Sequence, residues 1–559
     1  MKSNGAVLKL KELLKNKTIL LANWGCGDKD TFQCRDWIPI FKRVFKKVIV
    51  MSFRNHYYFY GKKILNENFL KIIEKQKPDY LIFGHRYNEI EIDTILKIKK
   101  LSPNTKTIIE YGDDDSRFDD WGRYYCLFFD YIWTSKKELS IYKNDKRDDA
   151  YFMIGISTDY YKPLSLKKIY DVSFIGRPIA DRYDYIRFLL DKGINLALFG
   201  VGWTDYPDLK DIQKGFLHDE DFVKVINQSK INLNFSKTLY DEGKKGQIKG
   251  KIMEIPACGS FLLNEYTEMN PKFINKRKEI NFKTKEELLE KINYYLKNEK
   301  EREKLAELVY KDVLNEFTWE KKFAEFFQDA EKNSIKKFKL PKFNKKTFII
   351  TENEIQFGYN KLKNILNGID FVFFRKNKSR FSKYKEYFQS YSLYISKKQI
   401  SCCDYSIYSN KIGDYLLFKS KNAFNTLNKK DFLKILNINQ IAVRKDYFLE
   451  NLESFKKLFN KELTDIINSN NIVFVSIPLI RIKRAVNIEY SIKKEVFHLL
   501  FFDRLMPFIY QKNFFHNYLL RFLLFSLNGN FYMIRHIYLR LFNKYNFELI
   551  KSFQYPKID

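Results

Sequence analysis

None of the six cysteines, Cys26, Cys34, Cys126, Cys258, Cys402 and Cys403, forms a CxxC pair or falls at a Cys/His metal spacing. In a chain of 559 residues that scatter excludes a disulfide framework and reads as a reduced, intracellular protein. No run of about 18 uncharged apolar residues occurs, so no transmembrane helix is expected. The first residues, MKSNGAVLKLKELLKNK, contain no long apolar segment, which argues against a secretory signal. No helix-turn-helix, RNP or zinc pattern is present, so nucleic acid is not expected as a partner.

Hydrophobic residues make up 45% of the chain, enough for well-formed cores. At roughly 100–200 residues per domain the length allows three or four of them. The net charge of +32 is uneven. Residues 336–559 hold 40 Lys and Arg against 17 Asp and Glu, a charge of +23, which leaves +9 for the first 335. Such a basic region is either a solvated surface or a contact for an anionic membrane.

Short apolar runs alternate with helical patterns from the start. Thr18–Ala22, Lys47–Met51, Tyr80–Phe83, Thr107–Glu110 and Tyr131–Thr134 read as buried strands, with helical spacing over 37–45 and 69–76. A second block repeats the rhythm, with strands at Asp171–Ile175, Asn195–Phe199 and Lys230–Phe235 and helices over 183–190, 221–227, 285–296 and 300–313. Thr318 is placed to cap a last helix over 319–330. Strand–helix alternation of this kind specifies α/β units with parallel sheets. Ligands of such sheets bind at the carboxyl ends of the strands. Those ends carry Gly84-His85-Arg86, Gly112-Asp113-Asp114-Asp115, Gly176-Arg177 and Gly200, any of which is either a site residue or an ordinary turn.

Within GKIMEIPACGSFLLNE, residues 250–265, a helix from about Lys249 to Ala257 closed by Gly259 in the left-handed conformation fits the spacing. Glu254 then lies one turn in from a helix start that follows the glycine-bearing loop 241–247. It either faces solvent, or accepts the hydroxyls of a ribose whose diphosphate meets the helix N-terminus. Cys258 reads as a packed small hydrophobe.

KGKIMEIPACGSFLLNEYTEM, followed by the helices that end in FTWEKKFAEFF, resembles the glycosyltransferase group 1 family and, within it, the CgeB-like branch named for a spore maturation protein. DVSFIGRPIADRYDYI, LALFGVGW and SKINLNFS also look like this family, and the resemblance spans about residues 17–331. It implies a GT-B fold: a Rossmann-like acceptor lobe over 1–165 and a Rossmann-like donor lobe over 166–332. It implies a nucleotide-sugar donor, a glycan, lipid-linked or protein acceptor, and no cofactor or metal. By the same resemblance Glu254 holds the donor ribose, and Lys251 and Arg177 neutralise the diphosphate beside Gly176 and Gly200. Many group 1 enzymes have a second glutamate eight residues before the ribose-binding one. That position here is Gly246, with Glu242 nearby. The first lobe is expected to supply Asp114 as the base and His85 as a donor or acceptor contact.

Residues 333–345 read as a linker. FIITENEIQFGYNKLKNILNGIDFVFFR and the segments that follow resemble a truncated family 2, GT-A glycosyltransferase, which implies a degenerate α/β module over 346–490 with its acidic motif altered to Thr351-Glu352-Asn353-Glu354. A basic, aromatic helical tail over 491–559 either packs on that module or meets lipid headgroups. The expectation is a cytoplasmic glycosyltransferase with a possible seat on the inner membrane face. The rival is a GT-B scaffold that binds a nucleotide sugar or glycan without turnover.

Overall fold

The computed structural model describes residues 2–483, apart from 27–30, 87–88, 113–116, 138, 238–247, 334–344, 377–379, 410–412, 419, 427–431, 433–435, 461 and 463. The tail over 491–559 and most of the linker lie outside the described residues. Among those described, no helix is long and apolar enough to cross a membrane.

The first sheet contains β1 (Thr18–Asn23), β2 (Lys47–Ser52), β3 (Tyr80–Gly84), β4 (Lys106–Tyr111), β5 (Tyr131–Thr134) and β6 (Ala150–Phe152). All are parallel, in the order β2-β1-β3-β4-β5-β6. Leu20, Leu21 and Ala22 of β1 are fully buried, as an inner strand covered on both faces requires. Ile19 and Leu21 point to one core, while Leu20 and Ala22 point to the other. The second sheet contains β7 (Tyr170–Ile175), β8 (Leu196–Phe199), β9 (Ser229–Asn234), β10 (Leu262–Glu265) and β11 (Asn281–Phe282), again parallel, in the order β11-β10-β9-β7-β8.

The chain passes between these lobes twice, and the two passes pair. Ile156 N–H donates to Phe317 O at 2.8 Å and Trp319 N–H to Ile156 O at 3.1 Å. Thr318 holds the N-cap position with extended backbone, but its side chain makes no capping bond; its place is decided by the bridge to Ile156. The helix Trp319–Lys332 then returns to the first lobe. Its Trp319 and Phe323 rings lie 5.2 and 6.0 Å from Trp37, and Phe323 lies 4.8 Å from Phe41. Two Rossmann-like lobes joined this way form the GT-B architecture.

The third unit is a mixed sheet of β12 (Thr347–Ile350), β13 (Phe371–Phe374), β14 (Arg380–Phe381), β15 (Ile400–Ser409), β16 (Gly413–Phe418), β17 (Ile441–Arg444) and β18 (Ile472–Lys483). The order is β12-β13-β17-β15-β18-β14, with β16 beside β15. It shares a core with the first lobe. Phe388 lies 5.3 Å from Tyr124 and 5.9 Å from Phe128, ring to ring. Val475, Ile477 and Leu479 join the same cluster as Phe83 and Trp121. Ser476 Oγ donates to Asp120 Oδ2 at 2.7 Å, and Lys421 pairs with Asp120 at 3.3 Å. In Thr351-Glu352-Asn353-Glu354, Glu354 Oε2 accepts the Thr351 N–H at 2.9 Å and so closes its own turn.

Candidate functional site

In the second sheet the chain runs from β7 out to β8 and then back to β9 on the other side of β7. That reversal opens a crevice at the carboxyl ends of β7 and β9, the place where open parallel sheets take their ligands. A cavity of about 220 Å³ lies there, lined by Gly176, Arg177, Arg182, Asn234, Lys249 and Lys251 among others. The carboxyl ends of the first sheet face it across the cleft: Arg35, beyond β1, stacks on Tyr160 and Tyr161, and Lys137, beyond β5, reaches Asn270 O beyond β10 at 3.5 Å.

The charge of the cavity is one-sided. Among the described residues that line it, four are cationic and none is a carboxylate. Arg182 is only 7% exposed. Its Nη1 donates to Arg177 O at 3.0 Å and its Nη2 to Phe235 O at 3.1 Å, while Nε has no partner. Among the described residues no carboxylate pairs with it. Burial lowers its proton affinity, opposed by Glu265 and Asp181. Burial likewise pushes the Lys251 ammonium below its ordinary range, with Glu254 opposing and Arg182 reinforcing the shift. Desolvated like charges cost several kcal/mol unless an anion joins them.

The helix carrying Lys251 and Glu254 is Lys251–Ala257, two residues shorter than the spacing predicts. It ends in a Schellman motif: Gly259 has φ +64°, its N–H donates to Pro256 O at 2.8 Å, and Ser260 N–H donates to Ile255 O at 3.3 Å. Seven residues make a weak dipole, so the side chains, not the helix terminus, supply the positive potential. Burial raises the Glu254 carboxyl above its usual range; Lys251, Arg35 and the Tyr161 hydroxyl pull it back. Cys258 is 2% exposed, packed in the core, with its thiol pushed up to about 12 by burial.

Gly200 does not line the cavity. It has φ +124°, and a Cβ there would lie 2.3 Å from Gly176 O. Gly200 thus lets β8 close against Gly176, whose carbonyl also accepts Trp203 Nε1 at 2.7 Å. Its part is to shape the cavity wall from behind. His85 follows β3 as a buried ring, 4.4 Å from Trp121 and 4.1 Å from Tyr125, and among the described residues its Nε2 has no hydrogen-bond partner. Burial, with Arg117 nearby, holds it well below the ordinary histidine range, so it is neutral at physiological pH. Asp114, Glu242 and Gly246 lie outside the described residues.

Arg182, Lys249 and Asn234 escaped the sequence reading. A signal existed for Arg182: it occupies the buried stripe Arg182, Tyr185, Ile186, Leu189 of its helix, a cation among apolar positions. Among the described residues no three His, Cys, Asp or Glu side chains converge as a metal ion would need.

Residues 182–328 match the glycosyl transferase-like family. The matched stretch starts at Arg182 and holds Lys249, Lys251 and Glu254. Among solved structures, a glycosyltransferase from Rickettsia africae ESF-5 is 14% identical, with 57% of this chain and 100% of that chain covered and a TM-score of 0.41. Anabaena Alr3699/HepE in complex with UDP and glucose is 10% identical over 57% and 100%, with a TM-score of 0.41. AviGT4, a glycosyltransferase involved in avilamycin A biosynthesis, is 12% identical over 56% and 97%, with a TM-score of 0.39. No match was found among curated proteins.

Proposed function

We propose that the chain transfers a glycosyl group from a nucleoside-diphosphate sugar to a hydroxyl acceptor, in surface-glycan or glycoprotein synthesis. The observation that carries this reading is the cavity whose described lining holds four cations and no carboxylate. A diphosphate satisfies it. Arg177, Arg182, Lys249 and Lys251 would hold the two phosphates, and Glu254 would accept the ribose hydroxyls. The same cations would stabilise the charge that grows on the departing nucleoside diphosphate, work that a divalent metal does elsewhere. His85, neutral and poor at taking a proton, suits a contact with donor or acceptor; we assign the base to Asp114. The motif E-x-x-A-C-G, residues 254–259, and the terminal T-W helix support the CgeB-like branch. The third unit, which shares the first lobe's core, would act as a degenerate GT-A-like scaffold on the acceptor side.

Transfer or hydrolysis is measured with UDP-, GDP- and CMP-sugars, with and without EDTA. The expected result is turnover that survives chelation; turnover abolished by EDTA and restored by a divalent ion would overturn the metal-free mechanism. Lys251→Met should lower kcat by roughly ten- to a hundredfold, because one of four cations is lost just where charge develops. Unchanged kcat would remove Lys251 from the mechanism. Nucleotide-sugar binding with no turnover on any acceptor would favour the scaffold reading. For the basic tail, deletion of residues 495–559 should release the protein from anionic liposomes; undiminished binding would count against a membrane seat.

A further inference from the structure

The connection between the lobes touches the donor carboxylate. Tyr161, 3% exposed and part of that connection, donates its hydroxyl to Glu254 Oε1 at 3.1 Å. Burial, reinforced by Glu254, pushes the Tyr161 phenol up, so the hydroxyl keeps the proton it donates. On its other side Tyr161 meets the first lobe. The Arg35 guanidinium lies 4.4 Å over the Tyr160 ring and 5.1 Å over the Tyr161 ring, within the range of cation–π attraction. Tyr160 and Tyr161 stand 4.9 Å apart at 88°, so the two rings form a corner around the cation. Arg35 is itself fixed by Asp36, with Nε 2.7 Å from Oδ1 of a carboxylate on a residue only 3% exposed.

A second contact confines the same carboxylate. Gly250 has ordinary right-handed helical angles, which any residue adopts. A Cβ there would stand 2.6 Å from Glu254 Oε1. A side chain at 250 would therefore push aside the carboxylate folded over it. The Tyr161 hydroxyl on one side and the Gly250 Cα on the other bracket Oε1. Oε2 and the remaining lone pair of Oε1 are left as acceptors.

We propose that Tyr161 is the positioning residue for Glu254, and that Arg35 of the opposite lobe holds Tyr161, so that the grip on the donor's ribose is set through the interlobe connection. This rests on the nucleoside-diphosphate reading of the cavity. The consequence is a specific one: ribose recognition depends on a residue of the lobe that does not hold the donor.

The test uses the whole chain and calorimetric titration with UDP, GDP, ADP and CDP. The nucleotide that the wild type binds most tightly is then compared with its 2′,3′-dideoxy counterpart. Tyr161→Phe should weaken the ribonucleotide about fivefold, the loss of one hydrogen bond, and leave the dideoxynucleotide unchanged. Arg35→Met should act in the same direction with a smaller factor. Gly250→Ala, which displaces the carboxylate by a different route, should reproduce the ribose-specific loss. A merely structural role would weaken both nucleotides alike, and that result, or no loss in Tyr161→Phe and Gly250→Ala, would overturn the proposal while leaving the donor site standing. A wild type that binds none of the four nucleotides would overturn the donor reading and this inference with it.

Discussion

Glu254→Ala should raise the donor KM at least a hundredfold while kcat at saturating donor stays near that of the parent. Two hydroxyl contacts to a carboxylate are each worth roughly 1.5–3 kcal/mol, and a factor of ten needs about 1.4. The ribose lies away from the bond that breaks, so these contacts are equal in the ground and transition states. Uniform binding of that kind appears in KM and not in kcat. At donor concentrations near the parent KM the variant would look almost inactive. Lys251 should behave in the opposite sense, since charge on the diphosphate grows only as the glycosyl bond breaks. Steady-state kinetics across a wide donor range separate the two. A Glu254→Ala enzyme with unchanged donor KM would remove the carboxylate from the site.

The stability of the third unit should rise between pH 8 and pH 10.5 because of one lysine. Lys385 is fully buried. Its Nζ donates to Gln389 Oε1 at 2.6 Å and lies 4.6 and 4.9 Å over the Phe373 and Phe381 rings. Among the described residues no carboxylate pairs with it. Burial brings its pKa down to about 8 from 10.5. The folded state therefore releases a proton that the unfolded chain keeps until pH 10.5. Above that pH both states are neutral and the fold carries no penalty. As the pH falls through 10.5 toward 8 the penalty builds, reaching about 3 kcal/mol at 1.36 kcal/mol per pK unit. Lys385→Met has no such titration. The difference in unfolding free energy between variant and parent should shrink by about 3 kcal/mol from pH 7 to pH 10.5. The change with pH is the readout, because the orphaned Gln389 carbonyl adds a constant cost to the variant. A difference that stays flat would show that Lys385 is not desolvated.

The scaffold alternative turns on Gly246, where many group 1 enzymes carry a glutamate. Arg182, buried and with no carboxylate partner among the described residues, bears on it differently. Binding alone is satisfied by any anion, whereas four cations aimed at one cavity give most when charge increases during a reaction.

Much of the architecture was legible because parallel strands buried on both faces must be continuous apolar runs. Lys47–Met51, Tyr80–Phe83 and Tyr131–Thr134 each became a strand near the predicted bounds, and the lobes followed from their alternation with helices. Gly259 was legible for the same kind of reason, since a left-handed residue at a helix end has few candidates. The helix that carries Glu254 and Lys251 was within reach of a spacing argument because it is local; of the two, Lys251 is among the residues that line the cavity. A glycine after a strand, such as Gly200, does not reveal whether it meets ligand or a neighbouring strand. That depends on Gly176, 24 residues earlier.

What the amino-acid order determined by itself was local: periodicity, caps, and which strand ends carry charge. Tertiary structure alone decided which of those ends meet. Arg182 reaches the cavity because β7 and β9 are neighbours across 59 residues, and its own bond to Phe235 O spans 53. Tyr161 reaches Glu254 across 93 residues, and Arg35 reaches Tyr161 from another lobe. Hydrophobic burial selects such pairings through the packing of whole faces, so no window of sequence contains them.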